Sequence, residues 1–257
     1  MTWWTKLFKI KKKSVDFLPP EQWVDLHSHI LPGVDDGPET LEDSLAMVRY
    51  ASETGVTHIV ATPHFSDLFP TKPEDREKAL ILLKNAVCKA GIDIKIIDGW
   101  EVSFTDVHIK QILDGENFAF SGSQNYTLIE LPNGINKSAV MEGFFSLMVG
   151  GTKIILAHPE RNSLIQQDVS LITELRFRGV VIQVDAESIV GVHGKNAKKV
   201  ALELLKRDEV DSLSSDAHTL IGYKNYKRAC ETVNSQFGKV IINKIINDIP
   251  ASIAGII

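Results

Sequence analysis

Cysteine is scarce: Cys88 and Cys230 are the only two in 257 residues. Neither sits in a C-x2-C pair, so neither a zinc ribbon nor a disulfide scaffold is indicated. Neither opens a C-x5-R loop, which excludes the common cysteine-nucleophile route to phosphate-ester hydrolysis. Two free thiols fit a reducing compartment, so a cytoplasmic protein is expected. Positive charge is not in excess. Lysine and arginine total 28 against 33 aspartates and glutamates, a net charge of -5. With no basic stripe, no nucleic-acid partner is expected. No apolar run is long enough to span a bilayer. There is no internal repeat and no long linker.

What is present begins with an unusual N-terminus, "MTWWTKLFKIKKK". Aromatic residues precede lysines, the reverse of a secretory signal, and no cleavage pattern follows. Two readings stand. Residues 1–22 are a solvated charged extension, or they make peripheral membrane contact. In the second reading Trp3, Trp4, Leu7 and Phe8 enter the headgroup region, and Lys6, Lys9, Lys11, Lys12 and Lys13 face anionic lipid.

From Trp23 onward, short apolar runs alternate with helical patterns. "WVDLH", "THIVATPH", "IDIKIIDGWE", "YTLIELP", "TKIILAHPER", "VVIQVDAE" and "VDSLSSDAH" read as seven strands. Helical segments separate most of them. The first has Thr40 as its cap and Gly55 at its end. The chain after Tyr223 reads as helical to its end. About seven β/α units imply an α/β protein whose residues 23–257 form one nearly closed parallel barrel.

In such barrels the active site lies at the C-terminal ends of the strands. Those ends carry His27-Ser28-His29, Thr62-Pro63-His64, Glu101, Glu130, His158-Pro159-Glu160-Arg161 and Asp216-Ala217-His218. Five of the eight histidines gather there. Side chains at i and i+2 of a strand share a face, so His27 and His29 can reach one cation, as can Asp216 and His218. Imidazole and carboxylate together suit Mn, Fe or Zn, and bridging carboxylates favour a cluster of two or three ions. Each fragment alone is unspecific; the coincidence at one rim carries the reading. After His29, Gly33 and Gly37 permit a tight loop, from which Asp35 or Asp36 supplies an oxygen ligand or a hydrogen-bond acceptor, with Asp36 favoured. Both could instead complement a helix dipole. His58, His108 and His193 read as structural histidines.

The stretches "DLHSHILPGVDDG", "TPH", "GWE", "AHPER" and "SDAH" resemble the polymerase-and-histidinol-phosphatase (PHP) superfamily. Within it they resemble the manganese-dependent protein-tyrosine phosphatases of bacterial capsule and exopolysaccharide loci, the CpsB/CapC-like group. The resemblance implies a distorted (β/α)7 TIM-like barrel, the PHP fold. It implies metal ligands at His27, His29, Asp36, His64, Glu101, Glu130, His158, Asp216 and His218, with Glu101 bridging two ions. It makes Arg161 the substrate phosphate-binding residue, a role its guanidinium fork suits; a rim salt bridge to Glu160 is the plain alternative. Asp216 or His218 could assist the leaving group. The implied reaction is phosphotyrosine hydrolysis by a metal-activated hydroxide. The implied partner is the tyrosine-phosphorylated tail of a membrane-bound autokinase controlling polysaccharide synthesis. The sequence departs from some relatives in two places. No arginine shortly follows Asp216-Ala217-His218, the nearest cations being Lys224, Lys227 and Arg228, and Phe65 follows His64. Rival readings are another phosphoesterase such as histidinol-phosphate phosphatase, a nuclease-like module, and a non-catalytic metal protein. The last needs a missing ligand, and none is missing. A hydrolase of carbon-nitrogen rings would want a strand-end lysine, which is absent.

Overall fold

The computed structural model describes residue 17 and residues 19–257. Both readings of the N-terminal extension fall on residues that lie mostly outside this range. Phe17 is inside it, packing edge-on against Trp23 with ring centroids 5.3 Å apart.

Strands β1 (Trp23–Ser28), β2 (Val56–Ala61), β3 (His64–Phe65), β4 (Lys95–Asp98) and β5 (Glu101–Ser103) make up the first half. Strands β6 (Tyr126–Glu130), β7 (Lys153–Ala157), β8 (Val181–Asp185) and β9 (Ser212–Ser214) follow. All pairings are parallel, in two sheets ordered β1-β2-β4 and β3-β5-β6-β7-β8-β9. The third expected strand is thus two pieces, β4 and β5, and the second continues past Pro63 into β3. Proline donates no ladder hydrogen bond, so a break there is expected. Across the two breaks the Gly99 N–H donates to the Ala61 carbonyl and the Glu101 N–H to the Pro63 carbonyl. With β2-β3 and β4-β5 each counted as one broken strand, the strands succeed one another in chain order. The last then meets the first. Asp216 N–H donates to His27 O at 2.9 Å and His29 N–H to Ala217 O at 3.0 Å. No continuous ladder closes the ring; these bonds and a Ser28–Ala217 bridge span it. This is the distorted barrel that the sequence implied.

Helices occupy the crossovers, as parallel strands require: α1 (Leu41–Thr54), α2 (Pro73–Lys89), α3 (Asp106–Leu113) and α4 (Lys137–Val149). Then come a 3-10 turn (Pro159–Arg161), α5 (Ser163–Gln167), α6 (Ser170–Phe177), α7 (Ala186–Val190) and α8 (Gly194–Lys206). α9 (Leu220–Phe237), α10 (Lys239–Asn243), a π-helical turn (Lys244–Asp248) and α11 (Ile249–Ile253) end the chain. Thr40 does cap α1, its hydroxyl accepting from the Asp43 N–H at 3.1 Å, and Gly55 closes it at φ 110. One hydrophobic cluster joins strands to helices, with Met47, Leu83, Phe144 and Leu204 among its members. A second lies between strands: Val24 and Leu26 of β1 meet Leu128 of β6 and Ile155 and Ala157 of β7, with Ala251 and Ile253 of α11. α11 therefore plugs one end. The polar residues gather at the other.

Candidate metal centre

The site grows from irregularities at strand ends. On β1, Asp25 pairs with Ile59 and Ser28 with Ala61, so three steps on β1 match two on β2. Such a bulge re-aims side chains. His27 and His29 end with their Nε2 atoms 3.2 Å apart. His158 follows β7 at φ 29, and Asp216 follows β9 at φ 46. Left-handed backbone in residues other than glycine is sparsely populated and costs about 1–3 kcal/mol where the surroundings impose it. Here it turns both side chains off their strands toward the same centre.

All nine residues expected as ligands are brought together. Four groups have donor atoms mutually within 4.8 Å: His29, Asp36, His64 and His218; His27, His29 and Glu101; His27, His158 and Asp216; His64, Glu101 and Glu130. Glu101 is the hub. Its Oε2 lies 3.4 Å from both His27 Nε2 and His29 Nε2 and 2.9 Å from His64 Nδ1, and its Oε1 lies 2.8 Å from His158 Nε2. Glu101 opens β5 and does not end a strand, as the sequence had suggested. It pairs with His64, which opens β3.

The donor set fits a divalent ion. Two nitrogens about 2.1 Å from one ion stand roughly 3.0–3.4 Å apart at octahedral to tetrahedral angles, against 3.2 Å for His27 and His29. Glu101 Oε2 is buried without an aligned hydrogen bond despite three imidazoles around it. A cation would satisfy that oxygen and relieve the facing imidazoles.

Charge is tightly balanced. Burial opposes ionisation of Glu101 and Asp216, but the surrounding histidines hold both carboxyls well below the usual range. Burial and Arg161 oppose a proton on His158, yet Glu101 and Asp216 push it up to about 9. Burial and the Glu101 charge raise Glu130.

The loop after β1 divides the two aspartates. Gly33 takes φ 66 and donates to the Pro38 carbonyl. A Cβ on Gly37 would meet the His29 carbonyl oxygen at 2.5 Å. Asp36 reaches the cluster, 3.1 Å from His218 Nε2. Asp35 sits behind it. Its Oδ2 accepts from His29 Nδ1 at 2.6 Å and from the His64 N–H at 3.1 Å, and its Oδ1 accepts from the Gly37 N–H at 3.0 Å. Burial works against the Asp35 charge, but the His29 hydrogen bond holds it at about 2. Gln183 plays a similar part, its Oε1 3.1 Å from His27 Nδ1 and 3.2 Å from the His158 N–H.

Arg161 does not pair with Glu160. Its guanidinium donates to Asp216 Oδ2 at 2.6 Å and lies 3.5 Å from Asp185 Oδ2. Glu160 is buried behind, accepting from the Asp185 N–H and the Ser188 hydroxyl. His193, read as structural, instead stands on the cavity wall with Nε2 2.6 Å from Asp185 Oδ2. Gln183, Asp185 and His193 are what sequence reasoning missed. A signal existed in "VIQVD": Gln183 and Asp185 alternate on one face of an otherwise apolar strand. His58 lies within β2 and His108 within α3, both away from the cluster.

A cavity of about 430 Å³ lies over the cluster, walled by Arg161, Glu187, His193, Leu68 and Phe69. Phe69 stacks on His64 with centroids 5.0 Å apart. Lys224, Lys227 and Arg228 do not line it.

The chain is 34% identical to CapC of Staphylococcus aureus over 202 residues, 77% of each chain. It is 29% identical to the tyrosine-protein phosphatase YwqE of Bacillus subtilis (strain 168) over 218 residues, 84% of this chain and 85% of that one. A solved structure described as YwqE from Bacillus subtilis and CpsB from Streptococcus pneumoniae, "unique metal-dependent tyrosine phosphatases", superposes with a TM-score of 0.81. That match has 26% identity and covers 90% of this chain and 94% of that one. The model of the family "Capsular polysaccharide synthesis, CpsB/CapC" matches residues 23–254, and the chain belongs to that family.

Proposed function

We propose that this protein is a metal-dependent protein-tyrosine phosphatase. One observation supports the reading above others: nine imidazole and carboxylate side chains converge beneath an open cavity that also holds Arg161. The ligands would be His27, His29, Asp36, His64, Glu101, Glu130, His158, Asp216 and His218. Their mixed nitrogen and oxygen donors suit two or three ions, with Mn2+ proposed and Fe or Zn also compatible. When bound, such ions lower the pKa of water and draw charge from phosphoryl oxygens.

The chain's own residues do the rest. Arg161 uses one nitrogen on Asp216 and Asp185. Its remaining N–H donors have no partner among the described residues and can take two phosphate oxygens in a fork. Asp216, held ionised, cannot give a proton, so its catalytic part is to fix Arg161 against the cluster. His218, tied to Asp36, belongs to the ligand set. Leu68 and Phe69 form an apolar wall suited to a phenol ring. The lining residue Leu68 is exposed, so the cavity opens to solvent and can take a side chain carried on a polypeptide, which favours phosphotyrosine over a small metabolite such as histidinol phosphate.

The substrate class in the cell would be a phosphotyrosine tail of a membrane-bound autokinase in polysaccharide synthesis, met in the cytoplasm. No helix among the described residues is long and apolar enough to cross a membrane. Residues 23–257 would act as one domain, with residues 1–22 as an extension able to approach a membrane. The test is phosphate release from a phosphotyrosyl peptide, a phosphoseryl peptide and histidinol phosphate. Preference for the first supports the proposal. Turnover of histidinol phosphate alone refutes it.

A further inference from the structure

We propose that His193 is the proton donor to the departing phenolate. The inference rests on the phosphatase reading and adds a residue that the metal cluster leaves out. In-line displacement places the leaving oxygen opposite the attacking water. The fully buried His27, His29 and Glu101 form the floor of the site, so water attacks from that side. The phenolate oxygen then lies on the open side of the cavity, which His193, about a quarter exposed, lines.

The ring is held for the task. Nε2 lies 2.6 Å from Asp185 Oδ2, the same oxygen that Arg161 approaches at 3.5 Å. An imidazole and the proposed phosphate-binding guanidinium therefore share one anchor. Asp185 is itself fixed. Its Oδ1 accepts from the Glu187 N–H at 2.7 Å, and its own N–H donates to Glu160. The second ring nitrogen, Nδ1, has no hydrogen-bond partner among the described residues. The groups facing His193 are Asp185 and Glu187, which favour the imidazolium, and Arg161, which opposes it. The first turn of α8, which His193 precedes, also opposes it. The Asp185 carboxylate, 2.6 Å from Nε2, outweighs burial and raises the ring above its ordinary value. Asp216 and His218 are committed to the cluster, and no other imidazole outside it lines the cavity.

In the step, the bond from phosphorus to the phenolate oxygen breaks as the bond from the water oxygen forms. The Nδ1 proton passes to the phenolate oxygen. The proton lost by the water goes to solvent, from which the imidazole is recharged. A proton donor matters most for a poor leaving group. The manganese-loaded protein and His193→Gln should be assayed on phenyl phosphate, a phosphotyrosyl peptide and p-nitrophenyl phosphate, whose phenol is far more acidic. The variant should lose about 100-fold in kcat/KM on the first two and under about 10-fold on the third, within the usual range for acid catalysis. The fall of kcat at alkaline pH, where wild-type His193 loses its proton, should vanish in the variant. Asp185→Asn, which weakens the anchor, should move that fall to lower pH. Metal content should be unchanged in both. Equal losses on all three esters, or an alkaline limb that survives in His193→Gln, would overturn the proposal. If the wild-type protein with manganese releases no phosphate from any ester, the phosphatase reading itself fails and the assignment goes with it.

Discussion

Replacing Asp35 by alanine removes a residue that touches no proposed metal ion but holds the ligand His29. Its carboxylate accepts three hydrogen bonds, from His29 Nδ1 and from the backbone N–H groups of His64 and Gly37. The first keeps the proton of His29 on Nδ1, so that Nε2 presents its lone pair to the centre. Losing such a support costs about 10–100-fold in metal affinity, equivalent to about 1.4–2.7 kcal/mol. The two orphaned N–H groups add about 1–3 kcal/mol each in lost folding stability where water cannot reach them. Asparagine is the graded control. Whichever way its amide turns, the NH2 group faces at least one donor, so it keeps at most two of the three bonds. The assay is competition for Mn2+ between protein and a chelator of known affinity. The expected order is wild type, then Asp35→Asn, then Asp35→Ala, with the last at least tenfold weaker. An alanine variant that binds within twofold of wild type, folded and without rearrangement, would refute the argument.

Four further outcomes are expected. Arg161→Ala should lower kcat on a phosphotyrosyl peptide by about 100–1,000-fold, as removal of a preorganised charge donor does; a loss under threefold would exclude Arg161 from the phosphate. Metal binding should release protons and tighten with rising pH, because the carboxylates keep His158 protonated up to about 9; calorimetry in buffers of different ionisation enthalpy reads the protons, and no release would contradict it. By the same linkage, the stripped protein has a His158 value raised above its ordinary one. That contribution to stability is full below about 6.5 and fades as pH rises through about 9, which thermal melts after chelation would detect. Gly37→Ala should destabilise the loop by about 1–3 kcal/mol, since its Cβ would collide with the backbone of His29; an unchanged melting temperature would show that the loop yields freely.

Much of the barrel was legible because its strands are short apolar runs ended by polar residues, a pattern that survives without contact information. The rim reading followed from that alternation; the full set of nine ligands, with Asp36 from the loop, is what the resemblance implied. What could not be read was geometry at the breaks. "IDIKIIDGWE" looks continuous, yet its partner strand is interrupted at Pro63, so Glu101 opens a new strand. Nothing local announces a bulge between Asp25 and Ser28. The division of labour between Asp35 and Asp36 depends on which way the loop after β1 folds over His29, a tertiary outcome. His193 lies in "GVHGK", a loop with no periodicity, and only the fold sets it opposite Asp185. The plain alternative for Arg161, a salt bridge to Glu160, fails because consecutive residues diverge on a 3-10 turn, and its partners come from β8 and the residues after β9.

The central claim is that this cluster binds the metal that makes the protein a phosphatase. The most direct measurement pairs elemental analysis with turnover as Mn2+ is added back to chelator-stripped protein. The account predicts that phosphotyrosine hydrolysis is absent at zero metal and rises in step with uptake of two or three ions per chain, with Glu101→Gln blocking both. Full hydrolysis by protein shown to hold no metal, or uptake unaffected by loss of Glu101, would contradict it.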